Sequence, residues 1–134
     1  SRPMMRYINF SGTGITNATI ESFCSLCPLL TQLYLDSCHQ LTDPAVLTLS
    51  ERLPGLTHIG LDSVAAITSS AVETLVSKCR KVHRLGKITN ISDGTLVEIA
   101  DNCSKLAILR IDGCDAVSLI GLTLVAAKCS RLTK

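Results

Sequence analysis

Aromatic residues are scarce in this chain, which has two Tyr, two Phe and no Trp among its 134 residues. The scarcity argues against a globular core, in which large aromatic rings commonly supply much of the buried area. The chain is nonetheless 46% hydrophobic and only 18% charged, so aliphatic material is ample. Its length fits one domain, and no stretch has the composition of a linker. We therefore expect a single domain, residues 1–134, with a core of narrow, repeated aliphatic layers.

Long apolar runs and long basic runs are also absent. No segment approaches the roughly 18 apolar residues that a membrane-spanning helix needs, and the first residues show no basic segment followed by an apolar one, so secretion is not expected. The formal net charge is +2, and acidic and basic residues are interspersed. The most basic stretch, 78–84, falls at a predicted helix end and in the following loop, where cations suit the helix dipole. We interpret it as a solvated helix end, and we expect neither a membrane nor a nucleic-acid partner.

The seven cysteines do not suggest a disulfide framework. One group shares its repeat position with Leu53 and another with Val64, so Cys stands there as a small buried hydrophobe. These two groups are Cys27, Cys79, Cys103 and Cys129, and Cys38 and Cys114. Reduced, buried thiols predict a location in the cytoplasm or the nucleus. Cys24 and Cys27 form a lone Cys-x-x-Cys without a second pair, so neither a metal site nor a cofactor is predicted.

One apolar pattern recurs five times along the chain. Its anchors are separated by 26, 26, 24 and 26 residues, and they are Ile15, Leu41, Ile67, Ile91 and Val117. Before each anchor, apolar and polar residues alternate, as at Leu33 and Leu35, which predicts a short strand with one buried face. An apolar helical segment follows each anchor. Self-similarity at this period is typical of a solenoid of strand-and-helix units, in which the strands stack into a parallel sheet.

Each helix has a predicted start and a predicted buried face. Asp43 directly before Pro44 is a strong pairing of an N-cap with a first helical residue. The predicted N-caps are Asn17, Asp43, Ser69, Asp93 and, for the fifth helix, Ser118. Apolar residues at i, i+3 and i+7 recur in all five helices and predict a core-facing stripe. These residues are Ile20, Phe23, Cys27; Val46, Leu49, Leu53; Val72, Leu75, Cys79; Leu96, Ile99, Cys103; and Leu122, Val125, Cys129.

The fourth unit is two residues shorter than the others. Its front aligns through Val82 and Leu85, and its back aligns through Ile88 and Ile91. The missing residues therefore lie either in the strand or in the turn that follows it. Both alternatives are open, and irregular stacking is expected at this unit.

The units resemble the cysteine-containing class of leucine-rich repeats. The pattern Leu-x-x-Leu-x-Leu-x-x-Cys-x-x-Leu-Thr-Asp runs from Leu30 to Asp43. It recurs from Leu106 to Cys129, with Val117-Ser118-Leu119 in place of the usual Ile-Thr-Asp. The resemblance covers essentially the whole chain. It implies an α/β leucine-rich-repeat solenoid, a horseshoe segment with short parallel strands on the concave face and helices on the convex face.

Five repeats are expected, at roughly residues 5–29, 30–55, 56–81, 82–105 and 106–131. Both ends of the chain fall near the start of a repeat, and Leu132 has the position of a further strand's first Leu. We therefore expect a segment of a longer solenoid, with neighbouring repeats or a larger complex at both ends.

The resemblance is to the F-box and leucine-rich-repeat proteins and to related axonemal regulatory-complex subunits. It implies a non-catalytic scaffold for protein–protein interaction. One specific role would be substrate recognition for an F-box-type ubiquitin ligase, although no F-box is visible in the chain. The alternative is a structural, cytoskeletal subunit of a large assembly such as the ciliary axoneme. The expected location is the cytoplasm, with the nucleus and the axoneme as alternatives.

No polar constellation predicts catalysis, so an enzyme is only the alternative from a different class. Cys38 should point into the core, away from His39, because adjacent residues at a strand end point apart. The predicted binding surface is the exposed face of the sheet, where an aspartate column and an aromatic anchor would suit a basic or Arg-bearing protein segment. The predicted partner-binding residues are Gln32, Tyr34, Asp36, His58, Asp62, Arg110 and Asp112. The alternative interpretation is that these positions are polar only because they face water.

Overall fold

The computed structural model describes residues 4–86, 91–111 and 116–133. Five short strands alternate with five helices of ten residues each. The strands are β1 Tyr7–Asn9, β2 Gln32–Tyr34, β3 His58–Gly60, β4 Arg84–Leu85 and β5 Ile108–Leu109. The helices are α1 Asn17–Leu26, α2 Asp43–Arg52, α3 Ser69–Lys78, α4 Asp93–Asn102 and α5 Leu119–Lys128. None of the helices in the described part of the chain is long and apolar enough to cross a membrane.

The strands form one parallel sheet in chain order, β1-β2-β3-β4-β5. One residue of each strand joins a row that faces the helices, and its neighbours face the other way. From β1 to β5 this row consists of Ile8, Leu33, Ile59, Leu85 and Leu109. All of the row except the half-buried Ile8 is buried. The alternation read from the sequence is therefore confirmed, and it leaves the other face of the sheet to the neighbouring residues.

The cysteines of the described residues are free, buried thiols, as the sequence predicted. Several of them also link neighbouring repeats, because a thiol of one repeat donates to a backbone carbonyl oxygen of the repeat before it. Cys79 Sγ lies 3.4 Å from the Leu53 carbonyl oxygen, and Cys129 Sγ lies 3.4 Å from that of Cys103. Burial raises the pKa of the Cys79 thiol to about 11 and that of Cys103 to about 12. Cys114 lies outside the described residues.

The predicted N-caps were wrong by one residue in the first four helices. The caps are Thr16, Thr42, Thr68 and Ser92, and the predicted residues are instead the first residues of their helices. The Ser118 cap is confirmed, because its hydroxyl accepts a hydrogen bond from the amide of Ile120 at 3.3 Å. Three of the four displaced residues, Asn17, Asp43 and Asp93, bond instead to the next repeat. Asp43, for example, accepts from both the amide and the hydroxyl of Thr68, at 2.8 and 2.6 Å.

The two residues missing from the fourth unit lie after its strand. Arg84 and Leu85 pair in register with His58 and Ile59, and the Gly86 amide still donates to a carbonyl oxygen of β3 at 2.8 Å. Beyond the gap, Ile91 is buried like the anchors of the second and third repeats. The strand is therefore aligned from the front, and the shortening falls between residues 86 and 91.

The buried stripe of α5 departs from the prediction. Val125 and Cys129 are buried, but Leu122 is 42% exposed, whereas its counterparts in the other four helices are buried. Leu119, Ile120 and Leu124 are exposed beside it. The reason is the position of α5 at the end of the stack: among the described residues no further helix packs against its outer face.

Candidate functional site

The predicted binding residues lie along the exposed face of the sheet, in adjacent rows. Gln32 and His58 stand in register with Tyr7, Arg84 and Ile108. Tyr34 stands in the next row, in register with Asn9 and Gly60. Asp36 and Asp62 follow strands β2 and β3, and Arg110 directly follows β5. Asp112 lies outside the described residues.

Tyr34 is held in place from two sides. Its ring contacts that of Tyr7, with centroids 5.7 Å apart. On the other side the backbone of Gly60 approaches it so closely that a Cβ there would lie 2.7 Å from Tyr34 Cδ1 and 2.7 Å from Asp36 Oδ1. Any larger residue at position 60 would push Tyr34 or Asp36 away. The glycine therefore allows the aromatic ring and the carboxylate to lie close to the backbone of the third repeat.

The two aspartates form an inter-repeat link and not a column of repelling charges. Asp36 Oδ1 accepts a hydrogen bond from the Asp62 amide at 2.9 Å, and the Asp36 amide donates to Ser11 Oγ at 3.1 Å. Asp62 in turn lies 3.0 Å from the Arg110 guanidinium. Like charges on neighbouring strands repel, and here a backbone amide and a cation offset that repulsion.

Arg110 reaches across the fourth repeat to contact the third. Its position in that repeat is occupied by Gly86, where a Cβ would lie 2.9 Å from Asp62 Oδ1. The absence of a side chain there leaves the path between Arg110 and Asp62 open. Alternation along each strand predicts both residues on this face, but it does not predict their pairing, because they are 48 positions apart.

Sequence reasoning missed two residues of this face, His83 and Arg84. The uncertain alignment of the fourth unit hid them, although alignment from the front through Val82 and Leu85 would have placed Arg84 beside His58. The His58 and His83 rings lie 6.1 Å apart. Partial burial lowers the pKa of His58, and the nearby His83 and Arg84 lower it further. Both neighbours and the partial burial therefore act in the same direction, against the protonated form of His58.

The sheet face thus has two chemically different halves. Repeats one and two present Tyr7, Tyr34 and Asp36, whereas repeats three to five present histidine and arginine side chains together with Asp62, which pairs with Arg110. No group of three or more potential metal-binding side chains occurs in the described ranges. The face brings together an aromatic surface, a carboxylate and guanidinium groups.

No protein-family profile matches the chain, and no curated protein sequence matches it. Solved structures do. The tropomodulin C-terminal domain of Caenorhabditis elegans superposes with a TM-score of 0.71 at 13% identity, covering 95% of this chain and 83% of that domain. Actin-binding site 2 of leiomodin-1 gives a TM-score of 0.69 at 17% identity, covering 96% and 81%.

A chain of the yeast Rad7–Elc1 complex gives a TM-score of 0.54 at 15% identity. The match covers 98% of this chain but only 48% of the other, so this chain spans about half its length. At these identities the likeness concerns the fold. The fold is an α/β leucine-rich-repeat solenoid, as the sequence predicted.

Proposed function

We propose that this solenoid is a non-catalytic protein-binding module that holds a partner segment against the exposed face of its sheet. The observation that supports the proposal most directly is Tyr34, an aromatic ring on that face held between Tyr7 and Gly60 beside the Asp36 carboxylate. Aromatic side chains with few degrees of freedom are favoured binding hot spots. Structural neighbours named for protein binding, leiomodin-1 and the Rad7–Elc1 complex, support the same general role.

The partner segment that suits this site carries an Arg or Lys next to an apolar group. Asp36 uses Oδ1 for the Asp62 amide, which leaves Oδ2 on the side of the carboxylate away from that bond. A guanidinium that stacks on Tyr34 would reach this oxygen, combining a cation–π contact with a charge-assisted hydrogen bond.

Two cellular roles are compatible with such a module. The first is substrate recognition for an F-box-type ubiquitin ligase, and the second is a structural subunit of a large assembly such as the axoneme. Purification of the protein from cells separates them, because the first role predicts co-purifying ligase-core components and the second predicts cytoskeletal ones. Fluorescence localisation adds a second measure: we expect cytoplasmic signal for the first role and, for the second, signal along cilia.

The site itself is tested with the partner so identified. Tyr34→Ser combined with Asp36→Asn should weaken its binding by about tenfold or more, because the ring contact and the carboxylate charge are both lost. The matched control is Leu47→Ser combined with Glu51→Gln, which changes an exposed apolar residue and an exposed acid on α2. Urea unfolding of both variants checks the fold. Equal affinities for the two variants would sink the sheet-face assignment.

A further inference from the structure

Exposed cations collect at one edge of the solenoid, the edge where helices end and strands begin. Lys81, Lys105 and Arg131 each lie two residues after a buried cysteine, at the same position of the third, fourth and fifth repeats. All three are exposed. We call this row the basic column. It is hard to see along the chain, because its members are 24 and 26 residues apart.

A second set of cations lies next to the basic column. Arg52, Lys78 and Lys128 are the last residues of α2, α3 and α5, and all are exposed. Lys128 pairs with Asp101 of the neighbouring helix. Within residues 4–86, 91–111 and 116–133, the three members of the basic column form no ion pair. The edge therefore has an excess of positive charge over the column's whole length.

Helix dipoles account for the second set but not for the basic column. A cation gains from the dipole within the last turn of a helix, and the benefit falls off beyond it. Lys81, Lys105 and Arg131 lie beyond the helix ends and their C-caps. Stacked on consecutive repeats, their like charges repel one another and contribute nothing to folding. Such an arrangement becomes favourable when an acidic partner neutralises it.

The basic column continues into a groove that has an apolar wall. The groove encloses about 330 Å³ and crosses the first three repeats at the same edge. Arg6 and Lys81 line it together with Pro28, Leu29 and the threonines that precede β2 and β3. Leu29 is 39% exposed. The groove therefore offers an apolar contact and two cations in one place, a combination that suits a polypeptide.

Single-stranded nucleic acid fits this edge less well, because proteins that bind it stack the bases on aromatic side chains. The chain has four Tyr and Phe side chains in all, and each is placed elsewhere. Tyr7 and Tyr34 lie on the sheet face, while Phe10 and Phe23 pack together with ring centroids 5.3 Å apart. Within the described part of the chain, the edge thus supplies charge and apolar contact without a Tyr or Phe ring for stacking.

From these observations we infer that the basic edge, made of the basic column and the adjoining groove, is a second docking surface that binds an acidic polypeptide segment with interspersed apolar residues. It is separate from the sheet face proposed above. Its groove borders that face at Thr31 and Thr57, which precede Gln32 and His58, but its charge and its occupant differ from those of the site at Tyr34 and Asp36.

The test measures binding of the whole chain to a fluorescent peptide of repeated Glu-Glu-Leu triplets by fluorescence polarisation. The variant Lys81→Gln/Lys105→Gln/Arg131→Gln should bind about tenfold more weakly, and its binding should depend less on salt. The control Ala18→Glu/Ser22→Glu/Ser70→Glu lowers the net charge by the same amount, on exposed positions of α1 and α3. It should bind within about twofold of the unchanged chain.

Two further probes decide the class of partner. A Gln-Gln-Leu peptide of equal length should not bind measurably, and oligothymidine of equal length should bind more weakly than the acidic peptide. Tighter binding of oligothymidine would indicate that the partner is a nucleic acid and not an acidic polypeptide. Equal weakening by the two triple variants would show that only net charge matters, and absence of acidic-peptide binding to the unchanged chain would also overturn the inference. Variants of the sheet face should leave this binding unchanged, so the two proposals fail separately.

Discussion

The two edges of the solenoid use charged and polar residues in opposite ways. At the edge where helices begin, the first residue of three of the helices bonds to the N-cap residue of the next repeat's helix. The pairs are Asn17 with Thr42, Asp43 with Thr68, and Asp93 with Ser118. At the edge where helices end, buried thiols and backbone carbonyls make links between repeats, and Arg52 and Lys128 each bond to the neighbouring helix. The basic column lies outside these links.

Exposed charged residues at the two edges therefore have different structural roles. The acids at the helix-start edge are used between repeats. The hydrogen bonds from the side chain and backbone of Ser118 hold the pKa of Asp93 below its ordinary value of 3.8. The cations of the basic column have no such use within the described residues. The acidic residues of the first edge therefore serve stacking, whereas the cations of the basic column are available to a partner.

The largest expected effect concerns the buried thiols near the helix-end edge. Burial raises the pKa of Cys24 and Cys79 from 9.0 to about 11, and that of Cys103 to about 12. Above pH 9 the unfolded chain loses these protons while the folded chain keeps them. The contribution of these thiols to the free energy of unfolding is therefore fully present below the unfolded pKa of 9.0. It is lost as the pH rises through the folded pKa values of about 11 and about 12. At about pH 10 the free energy of unfolding should fall by about 1 kcal/mol for each thiol.

Urea unfolding under reducing conditions, at about pH 8 and about pH 10, measures this effect. Lysine and tyrosine ionisation contributes to the same pH range, so the comparison is with Cys79→Ala/Cys103→Ala. The double variant should be less stable at the lower pH but should lose less on going to the higher one. The same loss in both proteins would mean that the thiols do not cause it.

A smaller effect is expected from breaking one link at the helix-start edge. Asp43→Leu places there the residue type that the fifth repeat has at Leu119, and it removes two hydrogen bonds to Thr68. The free energy of unfolding should fall by about 1–2 kcal/mol. Asp43→Asn is the matched control, because Asn17 makes the equivalent bonds to Thr42, and it should stay within about 0.5 kcal/mol of the unchanged chain. If Leu and Asn were equally tolerated, the link would be dispensable.

The smallest effect on stability is expected at the basic column. Replacing Lys81, Lys105 and Arg131 together by Gln should change the free energy of unfolding by less than about 0.5 kcal/mol. The reason is that these side chains are exposed and form no ion pair within the described part of the chain, and that their mutual repulsion disappears. Thermal and urea unfolding check this. A marked loss of stability would place the column among the structural links and remove the contrast between the edges.

Much of the sheet and the helices could be predicted from local patterns. Alternation at Leu33 and Leu35 and the period of 26 residues reflect requirements that every repeat meets in the same way, so each repeat supports the prediction for the others. The arrangement of the proposed binding surface was harder to predict from the sequence. Gln32, Tyr34 and His58 follow from alternation alone, whereas the Arg110–Asp62 pair depends on a glycine in a repeat whose alignment was ambiguous. The binding roles of these residues stay predictions.

What the sequence determined by itself is the set of requirements that neighbours along the chain impose: strand alternation, the helical stripe and the small buried thiols. Tertiary structure alone decided which polar side chains bind the next repeat and which face solvent. Asp43 and Lys81 are both charged residues near helix ends, but stacking places the first against Thr68 and leaves the second outside the links. The physical reason is that neighbouring repeats meet at positions about 25 residues apart, where hydrogen-bond distances and burial depend on the register of the stack.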